Sequence, residues 1–69
     1  MDIPVITNDD VYEEIKAYYK EMGTLPNSRT ILAQRLQTSI SVISRCYKSL
    51  EEFGAIRLDR RGKVIKLMR

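Results

Sequence analysis

The apolar positions of this chain change spacing along its length, and each change marks an element. Val11, Ile15, Tyr18 and Met22 recur at i, i+4, i+7 and i+11, the spacing of one helical stripe. At about 100° per residue they fall in a narrow arc, with Tyr12 and Tyr19 at its edge. The stripe predicts a first helix that starts at Thr7 or Asn8, either of which can cap it. Asp9 and Asp10 in its first turn favour the positive end of the helix dipole. The helix should stop near Met22, where Gly23 can take a left-handed conformation. Beside an apolar stripe, the tyrosines read as core or interface groups before base-stacking ones.

Gly23-Thr24-Leu25-Pro26 reads as a connector, with Thr24 and Leu25 as a minimal strand. Asn27 or Ser28 is placed to cap a second helix over residues 29–36, with Leu32 and Leu36 inward and Ile31 and Ala33 flanking. Gln37-Thr38-Ser39 breaks the pattern without a glycine. Ser39 is then a good N-cap for a third helix, from Ile40 to about Phe53. Ile43, Tyr47, Leu50, Ile40 and Cys46 project within about 60° of one direction and form its expected buried face. Lys48, Ser41, Glu52 and Arg45 form the opposite face, with Ser44 and Val42 on the borders. After Gly54 the period falls to two: Ile56 and Leu58 inward, Arg57 outward, over residues 55–58. Residues 59–62 make a turn in which Gly62 can adopt positive φ, and residues 63–67 return as a second strand. Ahead of all this, residues 1–7 form an extended arm. Its apolar Ile3, Val5 and Ile6 need burial on the domain or on a second subunit.

With 69 residues there is room for one small domain, which buries only about 60% of its unfolded surface. No apolar run approaches the ~20 residues of a membrane span, and the first residues lack the basic region of a signal peptide. Cys46 is the only cysteine and there is no histidine. That pattern offers no disulfide and no metal cluster; Cys46 reads as a small buried apolar residue in a reducing cytoplasm. The acids occur as neighbours at i, i+1 (Asp9 and Asp10, Glu13 and Glu14, Glu51 and Glu52), which do not converge as general acid–base catalysis requires. The three glycines are isolated, so no phosphate-cradling loop is present. The expectation is a protein that is not an enzyme, with no cofactor and no small-molecule ligand.

Charge changes the picture most. The net charge of +3 divides into −4 over residues 1–26 (six acids, two lysines) and +7 over residues 27–69 (ten bases, three acids). A cationic part on an acidic base suits a one-sided surface for a polyanion. On the third helix the outer face is small and hydroxylic at its start and cationic in its middle. Arg45 can donate two hydrogen bonds to a guanine edge, and Lys48 can reach a phosphate. Arg60, Arg61 and Lys63 repel one another at the hairpin tip but suit a phosphate backbone or a narrow minor groove.

Helix, connector, helix, tight turn, helix and basic hairpin, over most of residues 10–67, resembles the winged helix-turn-helix domain. Ile31-Leu32-Ala33-Gln34-Arg35-Leu36-Gln37-Thr38-Ser39 is similar to the E-L-A-E-Q-L-G-V-S stretch of GntR-type regulators. Leu50-Glu51-Glu52-Phe53-Gly54-Ala55-Ile56 is similar to their L-E-x-x-G-L-V ending. That ending continued by Arg57, and Tyr12-Glu13-Glu14-Ile15-Lys16 leading to a Gly-x-x-Pro connector, also resemble the DNA-binding domain of LexA repressors. The length of the turn favours the GntR type.

The resemblance implies an α+β fold of three helices followed by a two-stranded wing, and binding of double-stranded DNA. It puts Ser39, Ser41, Val42 and Ser44 in the DNA-facing segment and Arg61 and Gly62 in the wing. It does not transfer a base code. The family's turn glycine is Gln37 here, and its L-P-S-E-R arginine aligns with Thr30, one position after Arg29. Two basic positions of its recognition helix align with Ile40 and Ser44. Arg45 and Lys48 come from the helical projection alone.

The expected function is that of a small, repressor-like transcriptional regulator at the nucleoid. Helix 40–53 would read the major groove, with Arg29 and Thr30 positioned on phosphate and residues 60–63 on the backbone or minor groove. A homodimer through the arm and helix 8–22 would supply two half-site readers. The family's regulators carry a further domain after the winged helix, so the chain, ending at Arg69, is expected to be a stand-alone regulator or a fragment. The same fold also serves replication and partition proteins of plasmids and phages, and protein–protein interaction modules.

Overall fold

The computed structural model describes residues 6–68. Three helices, α1 (Asn8–Met22), α2 (Arg29–Arg35) and α3 (Ile40–Glu52), precede an antiparallel hairpin of β1 (Ile56–Leu58) and β2 (Val64–Leu67). This is the expected α+β element order, with helix limits within about a residue of those read from periodicity. No strand forms at residues 24–25; the connector runs as irregular backbone to the buried Pro26.

Each helix start and stop has a local cause. At α1, the Thr7 hydroxyl accepts from the Asp10 N–H at 3.1 Å, and the Asp10 carboxylate accepts from the Thr7 N–H at 3.0 Å. This reciprocal pair satisfies two donors at the helix start. Gly23 ends α1 at φ 76°. At α2, Ser28 occupies the cap position but makes no side-chain capping bond, contrary to expectation. The turn after α2 solves the missing-glycine problem by placing Gln37 at φ 55°. Thr38 N–H then reaches Ala33 O at 2.8 Å and Gln37 N–H reaches Gln34 O at 3.3 Å, the paired closure of a left-handed helix stop. Ser39 opens α3 by accepting from the Val42 N–H at 3.3 Å. Gly54, at φ 74°, closes it with the same pair of bonds, Ala55 to Leu50 and Gly54 to Glu51.

The core draws on every element: Val11 and Ile15, Leu32 and Ala33, Ile43, Cys46, Tyr47 and Leu50, then Ala55, Ile56 and Val64. Ile6 packs against it from the arm; Ile3 and Val5 lie outside the described residues. The α1 stripe holds for Val11 and Ile15 but fails at Met22, which is 55% exposed. With 15 residues against 7 in α2, α1 extends past the core that the two share. Cys46 is buried as expected, and that burial pushes its thiol up from the ordinary value.

A single side chain clamps α2 to α1. Arg35 bonds Glu14, and Glu21 at 3.0 Å, and lies over the Tyr18 ring with 5.4 Å to its centroid. Glu14 and Glu21 therefore converge, although their sequence neighbours do not. The hairpin carries a bulge: Arg57 pairs with Lys66 but Leu58 with Val64, so Ile65 is the extra residue. The bulge breaks the expected alternation. Val64 and Leu67 turn to the core while Ile65 and Lys66 face outward.

Candidate nucleic-acid interface

The outer face of α3 is as projected: Ser41, Arg45, Lys48 and Glu52 are exposed. One expected core residue is not in the core. Ile40 is 47% exposed, because the first residue of α3 lies beyond the helix junction and Ile43 is the first to enter it. Ile40 instead lines a cleft of about 520 Å³. Asn27, the start of α2 (Ser28, Arg29, Thr30) and the hairpin turn (Asp59, Arg61, Gly62, Lys63) supply the other walls. The start of α2, the first residue of α3 and the hairpin turn thus meet at one cleft.

Arg29 holds this junction together. Its Nη1 donates to the Ser44 hydroxyl at 2.7 Å, joining α2 to the middle of α3. Its guanidinium also passes close to the hairpin: a Cβ added to Gly62 would lie 3.7 Å from its carbon. Gly62 is at φ 81°, a conformation that side chains disfavour, so it is the turn that calls for glycine, while the approach of Arg29 is an ordinary van der Waals contact. The Arg29 charge opposes the effect of burial on Tyr47, whose phenol burial pushes well above its ordinary range.

The hairpin turn is organised by Asp59. One carboxylate oxygen accepts from the Arg61 N–H at 2.8 Å and the Lys63 N–H at 2.9 Å. The Gly62 N–H closes the turn on Asp59 O at 3.0 Å. The two bonds to the carboxylate, the one from Lys63 foremost, hold the Asp59 carboxyl below its ordinary value. The Asp59 charge is thus committed to the turn. The cleft walls carry three cations (Arg29, Arg61, Lys63) against this one carboxylate, a balance of 3 − 1 = +2.

The candidate residues therefore divide. Arg29, Thr30, Arg61, Gly62 and Lys63 meet at the cleft, and Ser41, Arg45 and Lys48 lie on the exposed side of α3. Arg60 is exposed at the turn but does not line the cleft. Ser39 is exposed and caps α3. Val42 is half-buried against the core, and the half-buried Ser44 spends its hydroxyl on Arg29. Neither projects with Arg45. The Arg29–Ser44 pair, 15 residues apart, had no local signature. Glu14 and Glu21 did have one, since seven residues make two helical turns and place both on one face.

A second, smaller groove of about 350 Å³ lies between α1 and the outer edge of β2, lined by Tyr19, Leu25, Ile65, Lys66 and Leu67. Among the described residues, no cluster of His, Cys, Asp or Glu could hold a metal, and no helix is long and apolar enough to cross a membrane. No protein-family model matches the chain, and neither a curated protein nor a solved structure matches it.

Proposed function

We propose that this domain is a winged helix-turn-helix that binds double-stranded DNA sequence-specifically, as a small repressor-like regulator of transcription. One observation carries the reading: the start of α2, the start of α3 and the hairpin turn converge on a cleft whose cations outnumber its one committed carboxylate. In this reading α3 enters the major groove, which admits a helix. Ser41 and the small neighbours of Ile40 let its first half approach the base edges, Arg45 reads guanine and Lys48 holds a phosphate. Arg29 and Thr30 lie along one backbone strand, and Arg60, Arg61 and Lys63 reach the flanking backbone or minor groove.

Arg35 supports this division of labour. Its bonds to Glu14 and Glu21 tie a cation of the basic segment to the acids of α1. The anionic side of the domain is in that way partly neutralised from within. Two copies on adjacent half-sites would raise specificity, and the exposed Tyr19 and Met22 of α1 are the surface through which we propose they pair. A monomer by light scattering at high concentration would remove the dimer from the reading.

Selection of bound sites from random duplexes tests the proposal. Arg45→Ala should abolish preference at one base position, about 1–3 kcal/mol of discrimination. Lys48→Ala should weaken all duplexes alike. Absence of binding to random duplex at low salt would overturn DNA binding and favour a protein partner.

A further inference from the structure

We infer that Ile40 is a specificity-determining residue that reads the C5-methyl group of a thymine in the major groove. This rests on the DNA-binding reading and goes beyond it, because it names a base that neither Arg45 nor the hairpin would recognise.

Among the large apolar side chains left exposed, Ile40 differs in its surroundings. Tyr19 and Ile65 share the groove between α1 and β2 with Leu25 and Leu67. Ile40 lines the cationic cleft together with Arg29, Thr30, Arg61, Gly62 and Lys63. The charge of those walls selects a polyanion as occupant. An aliphatic side chain held against such an occupant gains most from an apolar group on it. In the major groove of a duplex that group is the thymine methyl; the other base edges offer hydrogen-bond donors and acceptors.

Position and shape favour the contact. Ile40 is the first residue of α3, and the first turn of a helix entering the major groove is the part that reaches base edges. Its chain neighbours Ser39 and Ser41 are small, so neither of them holds the helix away. A β-branched side chain in a helix is confined mainly to one rotamer, so little side-chain freedom remains to be lost on contact. Arg29, tied to Ser44 and passing beside Gly62, fixes the cleft walls around it.

The test uses the full chain and a duplex obtained by site selection. Replacing thymine by uracil removes only the methyl group, one position at a time. For the wild-type chain, one such replacement should weaken binding about fourfold, the effect of burying one methyl-sized group. In Ile40→Ala the same replacement should have no further effect, while Ile40→Val should keep part of it. Ile40 is exposed, so thermal unfolding of the variants should match the wild type; if one fails to fold, the uracil series on the wild-type chain still decides.

If the selected duplex is bound but every uracil replacement is silent, or the loss persists undiminished in Ile40→Ala, the inference is wrong and DNA binding stands. If no duplex is bound, the DNA-binding reading fails and the inference falls with it.

Discussion

The Arg29 guanidinium donates to the Ser44 hydroxyl at 2.7 Å and so connects the first residue of α2 to the middle of α3. The pair is half-buried, with Arg29 itself in the cleft wall, where a hydrogen bond is worth about 1 kcal/mol. Ser44→Ala should therefore lower stability by about that amount, read as a shift in the urea midpoint with unchanged slope. Arg29→Ala combined with Ser44→Ala should be less destabilised than the sum of the two single variants. Independent additivity would show that the bond contributes nothing. Arg29→Lys should not restore it fully, because an ammonium lacks the planar fork that faces Ser44 and Gly62 together.

Gln37 occupies the left-handed region at φ 55°, which disfavours side-chain-bearing residues by about 1–2 kcal/mol. The bonds that close the turn come from the backbone N–H groups of Gln37 and Thr38, and glycine makes them equally well. Gln37→Gly should stabilise the domain by about 1 kcal/mol, an increase in Tm of roughly 4–8 °C for a domain of this size. Duplex binding at low temperature should not change. A lower Tm would mean that the Gln37 side chain contributes more than its backbone strain removes.

Asp59 gives the hairpin a pH dependence of defined sign. Its carboxyl is held below the ordinary value, chiefly by the Lys63 N–H. A group with a depressed folded pKa stabilises fully above its unfolded value, and that contribution is lost as pH falls through the folded one. Thermal midpoints of the wild type should therefore drop across the acid range below the ordinary carboxylate pKa. Asp59→Asn should lower the midpoint near neutrality and flatten this acid slope. Equal slopes in the two proteins would place the titration elsewhere.

Much of this molecule was legible in sequence, for physical reasons that also mark where legibility stopped. Capping by Thr7 and Ser39, the glycine stop at Gly54 and the turn at Gly62 depend on residues within a few positions of each other. Each came out as read, and so did the buried face of α3 at Ile43, Cys46, Tyr47 and Leu50. Ile40 and Met22 did not, since angular projection knows direction around a helix but not where the neighbouring helices begin and end. The bulge at Ile65 depends on the register of a partner strand, which a single strand's alternation cannot reveal. Arg29 was visible as a cation near a helix start. Its commitment to Ser44 required the three-dimensional approach of α2 to α3.

The hairpin cations lend themselves to a test that separates contact from net charge. Arg61 and Lys63 line the cleft, whereas Arg35 is bonded to Glu14 and Glu21 on the α1 side. A phosphate neutralised by a cation releases counterions, so each contact adds about 0.9 to the slope of log affinity against log salt. Arg61→Ala and Lys63→Ala should each reduce that slope by about 1 and weaken all duplexes nearly uniformly. Arg35→Ala removes the same formal charge but should leave the slope unchanged, while lowering stability in a salt-dependent way. If all three variants shifted the slope equally, the domain would be responding to its overall charge, and the hairpin would have no place at the phosphate backbone.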